Sequence, residues 1–287
     1  MRKYIFLDNW VIGRLSDDKF QTSLIEYIQS NRYVVVLNSL SLTELYNPNW
    51  QQGDRTEVAA KFYASIPCVI VDPAKVKQAE VDNYLDKLDD LPIEMDLTEI
   101  YPEERERLIL GLLRCNSEFV LQGKDLEQWD LSYKKEKSEW LNNVDQIISH
   151  AIDTGSLKKG KKHRKNNALA EKETFLLSLD MREVPSEKID LLFQYRMSKL
   201  KRTSLCSSVR FLSLLFWYLY IDEDPSNKIK HQNSDIGDLH QMTLIPYCEA
   251  FTLDNSMFRL VNRVKNEGAV FRTTLLTKAM LEKKVFV

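Results

Sequence analysis

The chain has 287 residues, 44% of them hydrophobic and 29% charged, with 40 Lys and Arg against 42 Asp and Glu for a formal net charge of −2. Such a length can bury a sizeable core, as one large domain or two smaller ones, and the composition excludes a wholly disordered chain. The near balance of charge excludes a global cationic field, so any nucleic-acid contact must come from local patches.

In chain order, Tyr4 to Leu7 is an apolar run of strand length closed by Asp8 and Asn9. It is too short to be a secretory leader and reads as a first strand. Residues 10 to 15 suit one helical turn, and residues 17 to 30 an amphipathic helix with Phe20, Leu24, Ile25 and Ile28 on one face. Asn31 and Arg32 turn the chain into a second strand at 34 to 37. Ser39, Ser41 and Glu44 follow, opening a helix that stops at Asn47-Pro48, because proline disfavours helix in the residue before it. A helix at 54 to 65 and a third strand at 68 to 71, ended by Asp72-Pro73, complete this part.

From about 74 to 230 the periodicity is helical throughout, at 76–88, 103–113, 118–121, 140–151, 168–179, 186–199 and 204–220. We expect an all-helical insertion here. The longest apolar run, 211 to 221, falls short of the about 20 residues that span a bilayer, and its aromatic residues suit a buried helix. Lys158, Lys159, Lys161, Lys162, Arg164 and Lys165 place six cations in eight residues, a density that resists helix and favours an exposed loop able to contact RNA.

Beyond the insertion, Ser234 or Asp235 can cap a helix that carries Asp238 and His240. Ala250 to Asp254 reads as a short buried strand delivering a carboxylate at its carboxyl tip, and the last strand is expected at 269 to 273. Cys68, Cys115, Cys206 and Cys248 are scattered, with no C-x-x-C pair and no His at zinc-finger spacing, as expected for free thiols in a reducing cytoplasm.

Several acids thus fall at strand ends or helix starts, where open α/β sheets place their ligand sites. The order strand-Asp8, strand-Ser39-x-Ser41-x-x-Glu44, Asp235-x-x-Asp238-x-His240, then Phe251-Thr252-x-Asp254, resembles the PIN-domain family of metal-dependent nucleases. The resemblance covers roughly residues 1–73 and 231–275, and implies a discontinuous nuclease domain at 1–73 and 231–287 interrupted by the insertion at 74–230. It implies an α/β fold with a doubly wound, mostly parallel sheet flanked by helices, and an acidic pocket holding Mg2+ or Mn2+. Asp8, Glu44, Asp235 or Asp238, and Asp254 would form that pocket. Asn9, Ser39 and His240 would orient water or contact phosphate.

The chemistry agrees with the residue types. Phosphodiester hydrolysis needs an activated water and charge stabilisation at the phosphoryl oxygens, which hard divalent cations held by carboxylates supply. The same acids have ordinary structural roles: Ser41-x-x-Glu44 is a capping box, Asp235 an N-cap, and Asp8-Asn9 and Asp254-Asn255 suit turns. The expected activity is a cytoplasmic, metal-dependent endoribonuclease acting on single-stranded or structured RNA, in the manner of toxins or defence effectors restrained by a protein partner. The alternatives are a catalytically silent RNA-binding or regulatory relative and a DNA nuclease with the same pocket. Homo-oligomerisation is compatible with either, and no membrane partner is expected.

Overall fold

The computed structural model describes residues 2–38, 53–71, 76, 79, 238, 241–266 and 271–286. Apart from Val76 and Ala79, the expected insertion, with its basic loop, lies outside the described residues.

Five short strands form one all-parallel sheet: β1 (Lys3–Phe6), β2 (Tyr33–Asn38), β3 (Cys68–Val71), β4 (Ala250–Thr252) and β5 (Thr274–Leu276). Their order is β3-β2-β1-β4-β5, so the first strand lies at the centre. Among the described residues five α-helices accompany them, α1 (Asn9–Ile12), α2 (Asp18–Ser30), α3 (Gly53–Ser65), α4 (Asn255–Asn266) and α5 (Lys278–Val285), with a 3-10 turn at Ile245–Tyr247.

The strands are continuous apolar runs because both faces are covered, as a parallel sheet requires. On one face Tyr4, Phe6, Val36, Val69, Phe251 and Leu275 pack with Met257, Val261 and Val264 of α4. On the other, Ile5, Leu7, Val35, Leu37, Ala250 and Leu276 pack with Phe20, Leu24 and Ile28 of α2, Phe62 and Tyr63 of α3, and Leu281 and Val285 of α5. The chain runs outward from β1 to β3 with α2 and α3 on one face, then returns to β4 and runs the opposite way with α4 on the other face. Right-handed crossovers impose this change of face when the winding direction reverses.

β1 and β4 are fastened at both ends. At the amino end the Tyr4 N–H donates to Glu249 Oε2 at 2.6 Å while the Glu249 N–H donates to the Tyr4 carbonyl at 2.9 Å. Phe6 and Phe251, directly paired across the strands, stack with ring centroids 4.4 Å apart. Such a contact contributes about 0.5–1.5 kcal/mol beyond its buried area.

One expected element is displaced. The last strand is Thr274–Leu276 and not 269 to 273. Its ladder begins where the Thr274 N–H donates to the Glu249 carbonyl at 2.8 Å, while the Thr273 hydroxyl donates to the Ile245 carbonyl in the turn before β4. Thr273 therefore ties the strand to a turn, and Phe271 is a core side chain outside the ladder. α4 and α5 were not foreseen in the sequence pattern.

Candidate functional site

In a sheet ordered β3-β2-β1-β4-β5 the winding reverses between β1 and β4, and the crevice outside their carboxyl ends is where open α/β folds bind ligands. Asp8 lies two residues beyond β1 and Asp254 two residues beyond β4. The topology therefore brings to this crevice two carboxylates that are 246 positions apart in sequence.

Each is fixed by capping a helix. Asp8 has an extended backbone and caps α1, its Oδ1 accepting from the Asn9 N–H at 2.7 Å. Asp254 caps α4, its Oδ1 accepting from the Met257 N–H at 2.8 Å and the Ser256 hydroxyl at 2.7 Å. The turn reading and the site reading of these acids are thus compatible, because capping engages only Oδ1. Neither Oδ2 accepts a hydrogen bond among the described residues.

Thr252 sets the spacing. Its hydroxyl accepts from the Asp8 N–H at 2.6 Å and donates to the Phe6 carbonyl at 3.2 Å, and the side chain is fully buried. A single hydroxyl on β4 thereby closes the end of β1 and fixes where Asp8 leaves the sheet. In the sequence Thr252 carries one signal, a hydroxyl among apolar residues at a strand end, and local pattern assigns it no role.

Electrostatically, Asp8 is strongly perturbed. Burial pushes its carboxyl up to about 6, the hydrogen bond from the Asn9 N–H opposes this, and the nearby charge of Asp254 pushes it further up. The two acids are close enough to feel each other. A strongly raised carboxylate in a crevice beside a like charge is a recognised mark of a functional site.

The short turn after Asp8 adds two unsatisfied polar atoms. Asn9 Oδ1 and Trp10 Nε1 are buried and make no hydrogen bond among the described residues. Each such atom costs about 1–3 kcal/mol unless a ligand or water completes it. Asn9 Oδ1 and the two carboxylates are hard oxygen donors, the set that magnesium or manganese prefers. Magnesium needs only one or two direct carboxylates. Among the described residues no three His, Cys, Asp or Glu side chains are grouped to hold a metal.

Of the other expected site residues, Asp238 is half-buried and helical. Glu44, Asp235, Ser39, His240 and the cations at 158–165 lie outside the described residues. Cys68 and Cys248 are buried and in no disulfide, and burial pushes the Cys248 thiol far up, so it is no nucleophile at neutral pH. No helix among the described residues is long and apolar enough to cross a membrane. Comparison with protein families, with curated proteins and with solved structures finds no match for this chain.

Proposed function

We propose that this chain is a PIN-like, Mg2+- or Mn2+-dependent nuclease of the cytoplasm, acting on RNA in preference to DNA, with its α/β domain interrupted by a helical insertion. The observation that carries the reading is the Asp8–Asp254 pair at the switch point, with Asp8 desolvated and its carboxyl raised to about 6. Two acids held together by the fold, at a cost in charge repulsion, are poised for a cation.

Asp8 and Asp254 would hold the ion, with Asn9 Oδ1 as a third oxygen and Glu44 and Asp235 or Asp238 as further carboxylates. When bound, a divalent cation lowers the pKa of water and neutralises charge on the phosphoryl oxygens. Thr252 keeps Asp8 at its station, and the caps leave Oδ2 of each acid available. The buried Trp10 indole N–H is a donor suited to a phosphate oxygen.

The test is cleavage of matched single-stranded RNA and DNA oligonucleotides with magnesium, manganese or chelator. The wild-type chain is expected to cut RNA only with metal, and Asp8→Asn to lose at least about 100-fold, as for removal of a charge-stabilising group. Cutting that survives both chelator and Asp8→Asn would remove the pair from the chemistry. Metal-independent RNA binding without cutting would turn the reading toward a silent PIN-like binder.

A further inference from the structure

The charge balance of the whole chain conceals a second local departure, besides the basic run at 158–165, and this one includes a helix of the described residues. Between Asn255 and Lys278 there are five cations, Arg259, Arg263, Lys265, Arg272 and Lys278, against one acid, Glu267. Helix α4 itself contains no acid. Its buried side, Met257, Val261 and Val264, recurs at the spacing of one helical face and packs on the sheet. At 100° per residue, Asn255, Arg259, Asn262 and Asn266 fall on the opposite side, with Arg263 next to Arg259 and Lys265 further round, at the edge toward Phe271.

Asn255, Arg259, Lys265 and Asn266 are exposed. Asn262 donates to the Phe258 carbonyl within the helix, and Lys265 stands over the Phe271 ring at 5.1 Å, which leaves its charge at the surface. The stripe starts one residue after Asp254, so its upper end adjoins the carboxylate pair. It runs about 16 Å down the molecule.

From this we infer that the outer face of α4 is a track for the phosphate backbone of a single nucleic-acid strand, leading it into the Asp8–Asp254 crevice. The inference rests on the nuclease reading for its direction and on the stripe alone for its contact. Complementary charge decides the occupant. A crevice bounded by two acids repels phosphate, so a polyanion that reaches it must be held by cations beside it, and α4 supplies an acid-free row that opens there. Guanidinium and amide side chains bond phosphate and sugar oxygens without reading bases, so the track would be indifferent to sequence.

The test is fluorescence-anisotropy titration of a labelled single-stranded RNA with the full chain in chelator, where binding is read without cleavage. The proteins compared are wild type, Asp8→Asn, and the double variant Arg259→Gln/Lys265→Gln. The double variant is expected to bind roughly 10-fold more weakly at low salt, with its salt slope reduced by about 1.4 for two lost phosphate contacts. Asp8→Asn is expected to bind as well as wild type or better, since it removes a charge that opposes the strand. Thermal melting of the double variant guards against misfolding, and Arg259→Lys/Lys265→Arg, which keeps both charges, should restore the slope. Equal affinity and equal salt slope in wild type and double variant would overturn the track, as would absence of binding by the wild type. Binding through α4 by a wild-type chain that cuts nothing would uphold the track while overturning the nuclease reading.

Discussion

At Asp8 the folded state holds a proton more tightly than the unfolded chain, its carboxyl standing at about 6 against a model-peptide value of 3.8. Below about pH 4 both states are protonated and the residue has no pH-linked effect on stability. Through the interval from about 4 to 6 the unfolded chain ionises first, so stability falls as pH rises, and the full penalty is present above about 6. For a partly exposed side chain this is of order 1–2 kcal/mol. In metal-free protein, Asp8→Asn should therefore raise the melting temperature at pH 7.5 and do so much less at pH 4, because the unfolded carboxyl is only beginning to ionise there and an amide oxygen can still accept from the Asn9 N–H. Magnesium or manganese should raise the melting temperature of wild type at pH 7.5 and do so far less in the variant. Parallel pH curves for the two proteins, with no difference in metal response, would sink this account of the pair. Thr252 offers a second test at the same scale. Thr252→Val keeps the shape and removes the acceptor for the Asp8 N–H, which leaves a buried donor unpaired. A loss of about 1–3 kcal/mol in urea unfolding is expected, together with slower cleavage. A valine variant as stable and active as wild type would deny the hydroxyl its positioning role.

Among the elements, α5 shows which contacts hold the end of the chain. Leu281 is fully buried against the sheet face that also carries α2, and Arg14 Nη1 meets Glu282 Oε1 at 2.6 Å on the surface above it. Apolar burial and a partly exposed ion pair differ in worth. Leu281→Ala should cost about 2–5 kcal/mol, whereas Glu282→Gln should cost under about 1 kcal/mol. Chemical denaturation of both variants decides this, and a larger loss for Glu282→Gln would mean that the ion pair, not the apolar face, docks α5. The same element exposes the limits of sequence reading. β1, β2 and β3 were legible because strands buried on both faces are continuous apolar runs, and Phe20, Leu24 and Ile28 announced α2 by their spacing. α5 offers only Leu281 and Val285 as buried residues in eight, too few for a period to stand out. α4 begins directly at Asp254, whose sequence with Asn255 also suits a turn, and the three-residue β5 is fixed by Thr273 and Thr274 bonding distant carbonyls that no local pattern reveals.

For the whole molecule, the site exists only because β1 pairs with β4 across some 245 positions of chain. Strand tips carrying Asp8 and Asp254 were legible one at a time, but their meeting depends on the strand order, which hydrophobic periodicity does not encode. If residues 74 to 230 are an insertion, as their helical periodicity suggests, the sheet should need little of them beyond Val76, which is buried in its core. A replacement for residues 80–237 must carry the chain from β3, at one edge, past β2 and β1 to β4. That is three strand spacings, about 14 Å, and a parallel crossover needs a dozen or more residues, so a flexible linker of about 15 is adequate. Shortening the closed loop from about 160 residues to about 15 reduces its closure cost by about 2 kcal/mol, which favours the shortened chain. The prediction is a cooperatively melting protein in which Asp8→Asn still raises the melting temperature at pH 7.5. That response reads the burial of Asp8 at the end of β1, the opposing Asn9 hydrogen bond and the Asp254 charge, so it reports on the crevice without any substrate. A shortened chain that folds with this response intact identifies a discontinuous α/β domain whose central crevice is self-sufficient. One that fails to fold, while the full chain melts cooperatively, would show that the middle of the sequence packs into the same core and must be counted as part of the site's support.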